Sequence, residues 1–115
     1  MADDSKLREF THYNACFDWY HSLFTEKQQA LFKAYFHYDL SLQEIADDHH
    51  ISKAAVSDAL RQMKEKLDSL EAEFQLLKRT AAMMDMLKDA PASLRESLLA
   101  LWQPRKDEGD NADHD

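Results

Sequence analysis

Residues 41–67 read SLQEIADDHHISKAAVSDALRQMKEKL, and this stretch decides the fold. Ser41 and Glu44 have the spacing of a capping box, in which each side chain accepts a hydrogen bond from the other residue's backbone amide. Ser52 is a candidate cap for a second helix. Two helices joined by so short a corner are typical of a helix-turn-helix, which places its second helix in the major groove of DNA. The stretch therefore predicts a helix-turn-helix at 41–67.

The corner of this motif depends on three apolar positions. Ala46 is small enough to let the two helices cross closely, Ile51 fills the space after the corner, and Val56 packs the second helix back. His50 occupies a corner position where the backbone tends to need a positive φ, which favours Gly. Because His tolerates this conformation better than most residues, the corner stays compatible with the motif.

Two helices are predicted before the motif. From Phe10 onward, apolar residues recur at steps of 3 and 4, the spacing of one helical stripe. They predict a first helix from residue 3 to about 23. Thr25 and Gln28 form a second candidate capping box, and the helix that follows is expected to end near His37. The aromatic face of the first helix is expected to pack in the core through Leu7, Phe10, Tyr13, Phe17, Tyr20 and Phe24.

A heptad pattern runs through and beyond the motif. Its apolar residues alternate in steps of 4 and 3 along Val56, Leu60, Met63, Leu67, Leu70, Phe74 and Leu77. This spacing predicts one long helix from the Ser52 cap to about Lys88. Pro91 should end it. Ser93 and Glu96 have the spacing of a third capping box, which predicts a short C-terminal helix folded back on the long one.

The composition favours an all-α fold. Gly occurs once and Pro twice in 115 residues, far fewer than the turns of a β-rich fold require. We expect one helical domain at 1–103 and a disordered acidic tail at 104–115. No apolar run approaches the ~20 residues that span a bilayer, so no membrane insertion is expected. The polar N-terminus and the single Cys16 favour a cytoplasmic location.

The net charge of −8 works against non-specific binding to phosphate backbones. Its distribution is uneven along the chain. Residues 105–115 contain five acids and two bases and contribute −3. The helix-turn-helix at 41–67 contains five acids and four bases and contributes −1. The best candidate for nucleic-acid contact is therefore near neutral.

Three segments together resemble the YlxM family of small bacterial proteins. They are LFTEKQ at 23–28, YFHYDLSLQEIAD at 35–47 and ISKAAVSD at 51–58, and the resemblance covers most of residues 10–75. The family is similar in turn to region 4 of sigma-70-type sigma factors. The resemblance implies a DNA-binding-like helical protein, linked by gene neighbourhood to the signal recognition particle pathway and without enzymatic activity. The sequence departs from the family pattern at the His49-His50 corner and in its acidic tail.

The second helix of the motif carries the candidate DNA-binding residues. Arg61 and Gln62 have side chains able to read guanine and adenine edges, and Lys53 and Lys64 are suited to flanking phosphates. The alternative is that Asp58 and Arg61, three residues apart, form a surface ion pair. The predicted interface consists of Ser52, Lys53, Ala54, Ser57, Asp58, Arg61, Gln62 and Lys64.

Two functions fit this pattern. The first is a DNA-binding regulatory protein associated with the signal recognition particle pathway. The second is a protein-interaction adaptor of the targeting machinery that does not bind DNA, with the particle's protein or RNA as partner. A positive patch over Lys53, Arg61 and Lys64 favours the first, and a neutral or acidic surface favours the second.

A homodimer is expected, because the heptad seam and the aromatic first helix exceed what a small helix-turn-helix head can bury. The competing arrangement is a monomer in which the first and last helices wrap the seam. The methionines at 83, 84 and 86 suggest adaptable packing, in a place where an apolar partner would dock.

No catalytic, cofactor or metal site is expected. His12 and Cys16 share a helical face, but no second pair of ligands completes a zinc site. His49 and His50 are adjacent, so their side chains diverge. A phosphate-binding loop is not possible with a single Gly in the tail, and Cys16 lacks the context of a nucleophile.

Overall fold

The structure is a computed structural model that describes the chain from residue 2 to residue 106. Across that range the chain forms α-helices and no strand, which confirms the all-α prediction. A 3₁₀ turn at His21–Leu23 follows the first helix, and a π-helical turn at Lys33–His37 continues the second. The six helices are α1 Ala2–Tyr20, α2 Glu26–Phe32, α3 Leu42–His49, α4 Lys53–Phe74, α5 Leu76–Leu87 and α6 Ala92–Leu101. Residues 107–115, most of the predicted tail, lie outside the described residues.

The helix starts follow the capping signals at three of the four predicted sites. Thr25 and Gln28 form a reciprocal capping box at the start of α2. Ser41 and Glu44 do the same at the start of α3. The Ser52 hydroxyl accepts a hydrogen bond from the Ala55 amide at 3.0 Å and caps α4. These contacts join residues three apart, so helix geometry alone brings them together.

The second predicted helix ends near His37 as expected, but its last five residues are π-helical. The Tyr38 amide donates to the Lys33 carbonyl at 2.9 Å, which closes the wider turn. Asp39 then adopts a positive φ of 54° and stops the helix.

The prediction of one helix from Ser52 to Lys88 is wrong. The helix breaks at Gln75, which takes a left-handed conformation with φ 56° and ψ 35°. The Glu71 carboxylate, in the last turn of α4, accepts hydrogen bonds from the amides of Leu77 and Lys78 in the first turn of α5. The bend thereby satisfies amides that begin α5 and lets Leu77 pack against the core. Because the heptad pattern continues across the break at Gln75, the pattern could not predict the break.

The third predicted capping box is also wrong. The helix α6 begins at Ala92 directly after Pro91, so Ser93 lies inside the helix and caps nothing. Pro91 holds φ at −54°, and its carbonyl already accepts from the Arg95 amide at 3.0 Å. The predicted return of the last helix is confirmed, because the Trp102 indole donates to the Thr80 hydroxyl of α5 at 2.7 Å.

The core lies between α1, α2 and the helix-turn-helix. Its aromatic part joins α1 to the second helix, where the rings of Phe17 and Phe32 stack with centroids 4.0 Å apart. The first four residues of the heptad seam are buried there as well: Val56, Leu60, Met63 and Leu67. This chain therefore buries four of the seven seam residues and partly buries Leu70 and Leu77, whereas Phe74 is 51% exposed.

Candidate nucleic-acid interface

The corner between α3 and α4 has helix-turn-helix geometry. His50 adopts φ 59° and ψ 41°, the left-handed conformation predicted for this position. The Ile51 amide donates to the Ala46 carbonyl at 3.0 Å, which closes the end of α3. Ala46 and Val56 are buried and Ile51 is partly buried against the core. The three apolar positions thus hold the helices in the predicted crossing.

The predicted interface residues fall into two groups. Seven of them are exposed and belong to the first three turns of α4 and its cap: Ser52, Lys53, Ala54, Ser57, Asp58, Arg61 and Gln62. Lys64 is half-buried at the border with α1. Its ammonium lies 3.3 Å from the Glu9 carboxylate and 6.0 Å from the centre of the Tyr13 ring. The structure therefore brings seven of the residues onto one accessible surface and directs Lys64 toward α1.

Carboxylates of α4 itself hold the two candidate base-reading side chains, Arg61 and Gln62. Arg61 pairs with Asp58 and, at 2.9 Å, with Glu65. Gln62 donates to the other Asp58 oxygen at 2.8 Å. The hydrogen bond and charge of Asp58, followed by those of Glu65, raise the pKa of the Arg61 guanidinium. The surface ion pair between Asp58 and Arg61, which the sequence offered as the alternative to base reading, is present in the structure.

Sequence reasoning missed one part of this arrangement. The sequence indicated the pairing of Asp58 with Arg61, but it was not used to assign Gln62 to Asp58. Residues four apart face each other on a helix, so the spacing of Asp58 and Gln62 could have predicted their hydrogen bond.

The surface over α4 is close to neutral rather than positive. The cations of the predicted interface are Lys53, Arg61 and Lys64, and the last two contact Asp58, Glu65 and Glu9. Lys66, the fourth cation of α4, donates to the Leu23 carbonyl at 2.8 Å. Such exposed ion pairs stabilise a fold only slightly. They nevertheless reduce the positive potential that would attract a phosphate backbone.

Exposed apolar side chains also lie on the last two helices. The helix α6 contributes no fully buried residue, and Leu101 at its end is 83% exposed. Met86 of α5 is 78% exposed. Leu94 is about half exposed and lies seven residues before Leu101 on the same side of α6, and we refer to Met86, Leu94 and Leu101 as the α5–α6 apolar surface. Met84 is also about half exposed, but it lies on another side of α5 from Met86.

Cys16 and His12 meet as their spacing indicates, with sulfur and Nε2 3.7 Å apart. Burial raises the pKa of the Cys16 thiol to about 12, so the group stays protonated and unreactive at neutral pH. Among residues whose side chains the structure describes, no three potential ligands are grouped to hold a metal ion. The helices between residues 2 and 106 include none that is long and apolar enough to cross a membrane.

Comparison with known proteins agrees with this geometry. Residues 7–100 match the family described as "Putative helix-turn-helix protein, YlxM / p13 like". A relative from Shouchella clausii is 39% identical over 85 residues, covering 74% of both chains. The YlxM protein of Bacillus subtilis is 33% identical over 93 residues, covering 78% of this chain and 84% of its own. The description of the family names a helix-turn-helix and no enzymatic activity. The chain therefore belongs to the YlxM / p13-like family of helix-turn-helix proteins.

Proposed function

We propose that this protein is a helix-turn-helix regulatory protein of the signal recognition particle pathway that contacts duplex DNA through α4. The observation that supports DNA contact is the corner at His50, which sets α4 against α3 and leaves its first three turns exposed. In such motifs the N-terminal part of the second helix lies against base edges. The pathway is the one that the family resemblance implies, and a cytoplasmic location is part of this proposal.

Contact with DNA requires an exchange of partners on α4. Arg61 would leave Asp58 and Glu65 for a guanine edge, and Gln62 would leave Asp58 for an adenine. Exposed ion pairs contribute little to stability, so this exchange is feasible. The two carboxylates remain near the phosphates and repel them. We therefore expect weak binding that depends strongly on salt.

A salt titration tests this proposal. The full chain is titrated into a fluorescently labelled duplex of mixed sequence at about 50 and 200 mM salt. Saturable binding at low salt that weakens at high salt supports the proposal. If the anisotropy does not change even at the lower salt, the protein does not act through duplex DNA.

A second candidate is an adaptor of the targeting machinery that does not bind DNA. Two observations favour it: the neutral surface over α4 and the α5–α6 apolar surface. Neutral and apolar surfaces suit protein partners better than phosphate backbones. Binding assays with purified signal recognition particle protein and with the particle's RNA test this function. If neither component binds at micromolar concentrations, this candidate should be abandoned.

We also propose that the protein is a homodimer. Val56, Leu60, Met63 and Leu67 are buried within one chain, so this part of the seam is unavailable to a second copy. The α5–α6 apolar surface is the remaining candidate, because Met86 and Leu101 are both largely exposed. An apolar patch that pairs with its own copy across a two-fold axis would remove these side chains from water.

A further inference from the structure

The bend at Gln75 contradicts the local sequence around it. Residues 71–79 read EAEFQLLKR, a run of mostly good helix formers without Gly or Pro. Gln75 nevertheless adopts the left-handed conformation, with φ 56°, which favours Gly. The heptad spacing of Phe74 and Leu77 also continues across it. Local preferences therefore favour one continuous helix at the position where the folded chain bends.

Tertiary contacts hold the bend in place of helical hydrogen bonds. The amides of Leu77 and Lys78 donate to the Glu71 carboxylate at 3.1 and 3.2 Å. The Leu76 amide donates to the Tyr20 hydroxyl at 3.4 Å. In a continuous helix these three amides would instead donate to the carbonyls four residues earlier. Straightening therefore exchanges one set of acceptors for another and keeps all three amides paired.

The segment beyond the bend, residues 76–106, folds on itself, and we call it the C-terminal arm. Arg95 of α6 donates to the Ala90 carbonyl, in the turn after α5, at 3.1 Å. The indole of Trp102 donates to the Thr80 hydroxyl of α5 at 2.7 Å. These contacts join residues of the arm to one another, so they stay intact when the bend opens.

The C-terminal arm contacts the rest of the chain at the end of α1 and the 3₁₀ turn after it. The ring of Trp102 lies 5.5 Å from that of Trp19. Farther along, Nε2 of His21 lies 2.8 Å from the Arg105 carbonyl, and it donates this hydrogen bond because a carbonyl only accepts. Trp19 and His21 remain in place when the arm leaves. The vacated position therefore fits the same arm of a second copy.

We propose that the chain exchanges its C-terminal arm with a second copy by straightening at Gln75. In the exchanged dimer, α4 and α5 form one helix from residue 53 to residue 87, about 50 Å long. Each arm packs on α1 of the other copy. The partner is a second copy because the arm remakes the contacts that the bent chain already makes. Exchange of an identical element needs no new interface, and a short connection under strain favours it.

This exchange differs from the homodimer proposed above, which pairs the outer α5–α6 apolar surfaces of two bent chains. Met86→Asp should therefore leave the exchange unchanged, and failure of that homodimer would not affect it. Two chains must meet while their arms are free of α1. We therefore expect exchange when chains refold together from urea at high concentration.

Opposite substitutions at Gln75 test the proposal. Gln75→Gly favours the bend, because Gly adopts the left-handed region freely, whereas Gln75→Ala favours the continuous helix. After refolding at high chain concentration, light scattering should find more dimer in Gln75→Ala than in Gln75→Gly, with the wild type between them. We expect the association constants of the two variants to differ by on the order of a hundredfold.

The contacts of Glu71 provide a second test at another residue. Glu71→Ala removes the acceptor of two amides in the bend, so it should raise the dimer fraction as Gln75→Ala does. Glu73→Ala is the matched control, since Glu73 is exposed in the same turn of α4 and should leave the dimer fraction unchanged. Thermal melting followed by circular dichroism checks that each variant is folded. If Gln75→Ala does not fold, Glu71→Ala keeps the proposal testable.

A spectroscopic measurement distinguishes exchange from any other dimer. Trp19 and Trp102 are the two tryptophans of the chain, and rings this close give an exciton couplet in far-UV circular dichroism. Trp19→Phe and Trp102→Phe each remove the couplet. When the two variants refold together in the Gln75→Ala background, an exchanged dimer brings Trp102 of one copy against Trp19 of the other and restores it. A dimer of unexchanged chains does not.

Three results would overturn the proposal. The first is an equal dimer fraction in Gln75→Ala and Gln75→Gly. The second is an equal increase of dimer in Glu71→Ala and Glu73→Ala. The third is a mixed dimer of the two tryptophan variants that shows no couplet, because its arms would then still lie on their own chains.

Discussion

The hydroxyl of Tyr20 donates a hydrogen bond to the carboxylate of Glu71 at 2.8 Å, across 51 residues of sequence. Tyr20 ends α1, and Glu71 lies in the last turn of α4, where it also accepts from the Leu77 amide of α5. One carboxylate thus joins three helices. It explains why the chain bends at Gln75 although the heptad pattern continues.

Replacing Tyr20 with Phe should loosen this junction. The ring stays buried, but Glu71 loses a hydrogen-bond donor, and hydrogen bonds to charged groups contribute about 1.5–3 kcal/mol. We expect the free energy of unfolding to fall by about 1–2 kcal/mol, measured by urea denaturation. Tyr38→Phe is the matched control, since Tyr38 is 70% exposed and should tolerate the same change. Equal stability of the two variants would show that the Tyr20 hydroxyl does not support the bend.

Stability should decrease at alkaline pH. Burial, followed by the hydrogen bond to Glu71, raises the pKa of Tyr20 from 10.0 to about 12. Burial likewise raises the pKa of Cys16 from 9.0 to about 12. The folded chain therefore holds protons that the unfolded chain has released, so this stabilisation is complete below about pH 9 and is lost by pH 12. Urea unfolding between pH 8 and pH 11 measures the slope. Tyr20→Phe should reduce that slope, and an unchanged slope would contradict the assignment to Tyr20.

His50 is a non-glycine residue in the left-handed region, with φ 59°. A side chain in this region costs about 1–2 kcal/mol, whereas Gly adopts it freely but adds entropy to the unfolded chain. His50→Gly should therefore stabilise the fold by roughly 0.5–1 kcal/mol, seen as a higher melting temperature. His49→Gly is the control, because His49 is the last helical residue of α3 and Gly disfavours the helical conformation, so this change should destabilise the fold. If His50→Gly also destabilises the fold, the contacts of the His50 side chain contribute more to stability than its left-handed backbone costs.

The charges around Arg61 should control DNA binding. Arg61→Ala should weaken binding to duplex DNA by about 1–3 kcal/mol, because the guanidinium that would read a guanine edge is lost. The double variant Asp58→Asn with Glu65→Gln should strengthen binding, since it releases Arg61 and removes two repelling charges. Fluorescence anisotropy at several salt concentrations measures both effects. If the double variant binds DNA no better than the wild type, the pairing of Arg61 with Asp58 and Glu65 does not limit DNA binding.

A charge on the α5–α6 apolar surface should disrupt a homodimer. Met86→Asp introduces a carboxylate at a side chain that is 78% exposed in the single chain. Burying this charge against a second copy is unfavourable, so light scattering after size exclusion should report a monomer. Ser69→Asp, at an exposed position of α4, adds the same charge elsewhere and should leave the mass unchanged. A wild-type chain that is already monomeric would refute the dimer.

Several local features could be predicted from sequence because they join residues three or four apart. The capping boxes of Thr25 and Ser41 and the cap at Ser52 form where their spacing indicates. The ion pair between Asp58 and Arg61 follows from the same helix geometry. The exception is Ser93, where Pro91 starts the helix earlier and makes the third capping box unnecessary.

The sequence by itself determined the all-α class, the helix-turn-helix corner and the positive φ of His50, because helix periodicity and backbone sterics are local. Only the tertiary structure decided the bend at Gln75, which depends on Tyr20 meeting Glu71. It also decided where the segment after α6 lies, because His21 meets the Arg105 carbonyl across 84 residues of sequence. Such contacts form only after the aromatic face of α1 has packed against the second helix and α4, and no spacing along the chain encodes which side chains then become neighbours.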